Sequence, residues 1–78
     1  MSLVEIMSFE YGDAGSVSFV ESALQAEDIF YHVSDNRYVP IGRPKLFVAR
    51  DDAARARDLL IELGFENLVY SKSRLGLQ

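Results

Sequence analysis

Along residues 3–9 the side chains alternate in the rhythm of a strand. Val4, Ile6 and Ser8 fall on one side of an extended chain, and Leu3, Glu5, Met7 and Phe9 on the other. Glu10-Tyr11-Gly12 breaks that rhythm. Asp13 then stands where a carboxylate can accept the orphan N–H groups of a first helical turn. Val17, Val20 and Leu24 recur at helical spacing, flanked by Phe19 and Ala23, so a helix is predicted to about residue 27 with that stripe on the core.

The period returns to two over residues 29–34, rich in β-branched and aromatic side chains. Residues 34–44 hold Asp35-Asn36 and Pro40-Ile41-Gly42-Arg43-Pro44, turn and breaker residues that predict a long hairpin loop. Residues 45–50 read as a third strand, with Leu46 and Val48 on one face and Phe47 on the other. Asp51 or Asp52 is placed to cap a second helix reaching residue 63, with Ala53, Ala56, Leu60 and Leu63 as its buried stripe. Asp51 and Arg55 have the i,i+4 spacing of a helix-surface ion pair. Gly64 followed by Phe65 has the form of a glycine C-cap with an apolar contact after it. Residues 67–71 predict a short fourth strand, and residues 72–78 a flexible tail.

Strand, helix, strand, strand, helix, strand is the order of a ferredoxin-like βαββαβ sandwich, an α+β fold whose antiparallel sheet carries both helices on one face. The expectation is one such domain over residues 1–71, followed by the tail 72–78.

Three stretches carry a resemblance. Leu24-Gln-Ala-Glu-Asp-Ile29 links the first helix to the second strand, and Gly42-Arg-Pro-Lys45-Leu46-Phe47-Val48 closes the hairpin. Asp51-Asp52-Ala53 leads through Ala56 to Leu59-Leu60. In these the chain resembles the prokaryotic signal-transducing protein family, short bacterial proteins grouped near the PII (GlnB-like) superfamily. That family usually has glycine before the isoleucine of the second strand; Asp28 stands there in this chain. The resemblance implies a ferredoxin-like domain with no catalytic residues to carry over. It also implies that the loop between the second and third strands makes partner contacts.

Composition narrows the chemistry further. Of the 78 residues, 49% are hydrophobic, enough for a packed core rather than a disordered chain. There is no cysteine, so disulfides, thiolate metal sites and thiol redox chemistry are excluded. The formal net charge of −4 opposes nucleic-acid binding, which depends on cations neutralising phosphates. No apolar run approaches the roughly 18–20 residues of a membrane span. The opening residues lack a basic region and meet Glu5 at once, unlike a signal peptide, and a cytoplasmic setting is expected.

The candidate binding residues fall in two groups. Arg37, Tyr38, Arg43 and Lys45 form a basic cluster on and beside the hairpin loop, where guanidinium forks can match oxyanions. Solvated charges that keep the loop soluble are the competing reading. Phe30, His32 and Phe47, with Met7 and Phe9, are expected on the sheet face that the helices leave open. An apolar patch there would mark an interface, including one between two copies of the chain. His32 is the single histidine and has no assignable ligand or nucleophile partner, so a surface histidine is the competing reading. Gly12-Asp13-Ala14-Gly15-Ser16 is neither of the glycine-rich phosphate motifs, and Asp13 reads as a helix cap.

The functional expectation is a non-catalytic regulatory or signal-transducing module. It would bind a small molecule or a protein partner through the hairpin loop and open face, with no cofactor and no metal. A structural or dimerisation module without a ligand is the alternative. An acylphosphatase-like enzyme fits less well, because the loop at residues 10–13 lacks the arginine that would hold phosphate. RNA binding through the sheet fits poorly too: residues 43–50 contain no glycine and only one aromatic.

Overall fold

A computed structural model describes residues 2–34 and 43–76. The element order is β1 (Leu3–Ser8), α1 (Ala14–Ala26), β2 (Tyr31–Ser34), β3 (Lys45–Ala49), a 3-10 turn (Arg50–Asp52), α2 (Ala53–Glu62) and α3 (Lys72–Leu75). The strands form an antiparallel sheet in the order β1-β3-β2. The architecture is therefore α+β, with β3 at the centre.

Pairing is regular between β2 and β3, where Tyr31 faces Val48 and Ser34 faces Lys45. Between β1 and β3 it is not. Glu5 pairs with Phe47 and Met7 with Leu46, so Ile6 is an extra residue in β1. A bulge of this kind lets neighbouring side chains turn to the same side. Ile6, Met7 and Phe9 are accordingly all fully buried in one cluster with Leu46 and Val48. Strict alternation puts Met7 and Phe9 on the open face; the bulge corrects this and moves both into the core.

Both helices cover that same side. Val20 and Leu24 of α1, and Ala53, Ala56 and Leu60 of α2, complete the cluster. Leu63, expected in the α2 stripe, sits at the C-cap and is only partly buried. The alanines let α2 lie close to the strands. Arg55 joins the two helices: it donates to the Glu27 carbonyl of α1 at 3.1 Å and pairs with Asp52 at 3.2 Å. The predicted ion pair with Asp51 is thus replaced by one with Asp52. Asp52 sits at the N-cap of α2 but makes no side-chain cap bond, its carboxylate being taken by Arg55.

The two long helices end in the same motif. At the end of α1, Asp28 N–H donates to Gln25 and Ile29 N–H to Leu24. At the end of α2, Gly64 N–H donates to Ile61 and Phe65 N–H to Leu60. Each is a Schellman ending, which requires a left-handed residue just past the helix and an apolar contact after it. Gly64 supplies φ +99° and Asp28 supplies φ +56°. A positive φ is costly for any residue with a Cβ, though less so for aspartate than for most.

The fourth strand predicted over 67–71 shrinks to a single bridge between Met7 and Val69. Tyr70 N–H donates to Ile6 at 2.9 Å, and Ser8 N–H to Leu68 at 3.4 Å. The reason is local: Leu68 and Val69 both donate to the Phe65 carbonyl, so this stretch spends its hydrogen bonds on turns. Residues 72–75, expected as part of a tail, form a helical turn. Ser71 caps it and Leu75 packs against the core.

The two left-handed positions set opposite expectations for stability. Asp28→Gly is expected to raise it by about 0.5–1 kcal/mol, and Gly64→Ala to lower it by about 1–2 kcal/mol. A Cβ at Gly64 would meet nothing within 4 Å, so its cost is conformational. Urea denaturation of each variant measures both.

At the other end of α1, Asp13 caps the helix, accepting Ser16 N–H at 3.1 Å and Ser16 Oγ–H at 2.6 Å. The Ser16 side-chain bond first, and its backbone bond second, hold the Asp13 carboxyl below its ordinary value of 3.8. A lowered folded value means the cap contributes above the unfolded value and is lost as pH falls through the folded one. Asp13→Asn should therefore flatten the loss of stability on acidification below about pH 4. Thermal melts of the two proteins across that range give the comparison.

Candidate functional site

Because both helices lie on one side, the register of the strands defines the other. Three cross-strand rows make it up. Leu3 pairs with Ala49, whose N–H donates to Phe30. Glu5 pairs with Phe47, and Phe47 with His32. Ser8 pairs with Lys45, and Lys45 with Ser34. The face thus grades from apolar at one end to hydroxyl and ammonium at the other.

Its exposed anchors are Leu3, 40% accessible, and Phe30, 56% accessible. Phe47 is half-buried at the centre, with the exposed His32 ring 6.1 Å from it and tilted by 43°. Lys45 is exposed beside them. A flat aromatic, an ammonium and an imidazole therefore share one open surface. Next to Phe30, a shallow depression of about 400 Å³ is lined by Gln25, Asp28, Ile29, Phe30 and Tyr31. Gln25 Nε2–H donates to Tyr31 Oη at 2.7 Å across its rim.

Four of the residues singled out from the sequence, Phe30, His32, Lys45 and Phe47, thus come together. Arg37 and Tyr38 lie outside the described residues. Arg43 behaves differently from the expectation. Its Nε donates to the Phe9 carbonyl at 2.7 Å, and its guanidinium lies 3.6 Å from Glu10. It ties the start of β3 to the segment leaving β1, and its charge is partly met by Glu10. An arginine does therefore reach the loop after the first strand, from elsewhere in the chain and alongside a carboxylate.

Sequence reasoning missed a second cluster at the β1 edge. Tyr70 donates its hydroxyl to Glu5. The Arg74 guanidinium stacks 3.8 Å from the centre of the Tyr70 ring, a cation–π contact. Arg57 Nε donates to the Tyr70 carbonyl at 3.0 Å. Nothing in the spacing of Glu5 and Tyr70, far apart in the chain, signals this pairing.

Among the described residues no polar or charged residue is buried, and none of their acidic or histidine side chains gather in threes. Whatever chemistry these residues offer is offered at the surface. No helix among them is long and apolar enough to cross a membrane. Fold and face together define a class: a small α+β domain with an open, mixed aromatic and polar sheet surface. No protein-family model matches the chain, and searches of curated proteins and of solved structures also return no match.

Burial first, and then the bond and charge of Glu5, push the Tyr70 hydroxyl above its ordinary value of 10.0, against a smaller opposing pull from Arg74 and Arg43. For an acid raised in the folded state, stability is full below the unfolded value and falls as pH rises toward the folded one. Ultraviolet titration should show a step that ionises later than free tyrosine. Tyr70→Phe should remove that late step and lessen the loss of stability in alkali.

Proposed function

We propose that this chain is a non-catalytic regulatory module, of the signal-transducing kind, that binds a small molecule or a protein partner on its open sheet face. The observation that carries this reading is the cross-strand grouping of Phe30, His32, Phe47 and Lys45 on the side free of α1 and α2. Aromatic side chains on an accessible face offer recognition a large contact area for the entropy they lose. The stretch with Arg37 and Tyr38 lies outside the described residues, and its part in binding is proposed from the sequence alone.

The finer fold reading is ferredoxin-like. What supports it is the order β1-β3-β2, with the Met7–Val69 bridge on the free edge of β1 where a fourth antiparallel strand would lie. The resemblance to the prokaryotic signal-transducing proteins gains support from one backbone angle. Where that family has glycine, Asp28 takes φ +56°, a conformation that glycine adopts without strain. The exposed apolar row of Leu3 and Phe30 favours a second reading, in which the face joins two copies of the chain.

Backbone amide NMR with a panel of nucleotides and common metabolites, together with sedimentation over a range of protein concentrations, separates these readings. Ligand shifts are expected at Phe30, His32, Lys45 and Phe47, with Phe30→Ala weakening binding by roughly tenfold. Concentration-dependent shifts at the same residues without ligand would favour the dimer. Shifts confined to the helix surfaces would overturn the assignment of this face.

A further inference from the structure

One segment is attached to the molecule differently from the rest. Residues 65–76 contribute no fully buried side chain; Phe65, Leu68, Val69 and Leu75 are only partly covered. They reach the sheet at one bridge, whereas β1 and β3 pair along their length. Their fastenings are these partial apolar contacts, including Phe65 against the Phe19 ring of α1, and three polar ones. Tyr70 bonds to Glu5, Arg57 reaches the Tyr70 carbonyl, and Arg74 stacks on the Tyr70 ring. Segments held by a few partly exposed hydrogen bonds and little apolar burial open at lower free energy than the core.

We propose that residues 65–76 form a strap that opens as a unit from the edge of β1 while the three-stranded sheet stays folded. The Tyr70–Glu5 hydrogen bond is its pin. Closed, the strap itself occupies the β1 edge, through Ser8 N–H and the Ile6 carbonyl. Open, it leaves those two groups unpaired on a strand edge and bares the flank of Met7. Unpaired edges of this kind are what extended chains add to. The inference is independent of what the outer face binds, since it rests on how the segment is attached.

Native-state hydrogen exchange, read residue by residue in rising urea, tests it. The amides at positions 8 and 70 are bonded across the bridge. After correction for intrinsic rates, they are expected to exchange at least about tenfold faster than those of β3. Their rates should rise with urea, but less steeply than those of β3, since the opening uncovers the strap's partly covered apolar side chains and not the whole core. Tyr70→Phe should speed both amides by roughly tenfold, the effect of losing a hydrogen bond to a charged group, and leave that shallower urea slope intact. Glu5→Gln, which keeps an acceptor but removes its charge, should speed them less. If both amides exchange with the rate and urea dependence of β3, there is no separate strap. If Tyr70→Phe leaves them unchanged, Tyr70 is not the pin.

Discussion

The extra residue in β1 decides on which side of this sheet Met7 and Phe9 lie. Val4 before the bulge and Met7 after it both face the helices, across from Val48 and Leu46. Without the bulge, a period of two would carry Met7 and Phe9 to the opposite side. Burying a large apolar side chain contributes about 1.5–3 kcal/mol, while a ladder interrupted at one position costs about one net hydrogen bond, roughly 0.5–1.5 kcal/mol. Two side chains against one bond favour the bulge. The outer face inherits its character from the same step. Freed of Met7 and Phe9, it keeps Leu3 and Glu5 on β1 and becomes a surface of mixed polarity.

The twin helix endings fix how each helix hands the chain back. In both, an apolar residue just past the left-handed position, Ile29 or Phe65, comes five residues after a core leucine, Leu24 or Leu60. The ending therefore terminates the helix and adds an apolar contact beside the core in the same step. At α1 it aims the chain into β2. At α2 it leads into turns at Phe65, and only Val69 reaches the sheet. The same local device thus gives a full strand in one half and a single bridge in the other. The difference lies in the next few residues: Tyr31-His32-Val33 has strand-forming side chains, while Glu66-Asn67 favours a turn.

Much of this fold is legible in the sequence because it is local. The Asp13 cap, the stripe Val17, Val20 and Leu24, the Gly64 ending and the third strand are each set by neighbouring residues. The repeat in the helix endings is hidden because one copy uses glycine and the other aspartate, alike in backbone and unlike in sequence. The bulge is not legible, since nothing in Leu3-Val-Glu-Ile-Met-Ser-Phe9 marks Ile6 as the extra residue; only the pairing with β3 does. The site divides the same way. Phe30, His32 and Phe47 share a face by register, which strand period predicts. Charge alone places Arg43 in an anion cluster, but its partners Phe9 and Glu10 are distant in sequence.

Glu5 belongs to the outer face and also holds the strap. It stands in the central row of the face, directly across from Phe47, and it accepts the Tyr70 hydroxyl at the β1 edge. With the strap closed, its carboxylate is engaged beside the aromatic pair of Phe47 and His32. With the strap open, a bare carboxylate would adjoin them and Tyr70 and Arg74 would leave the rim of the face. The face would change from one with a bonded acid and a stacked cation at its edge to one with an unpaired acid. A ligand sensitive to that charge would bind the two states differently, and only such a difference in affinity can couple a binding face to a moving segment. Such a coupling would need no distant pathway, because Glu5 stands in the face and bonds to the strap.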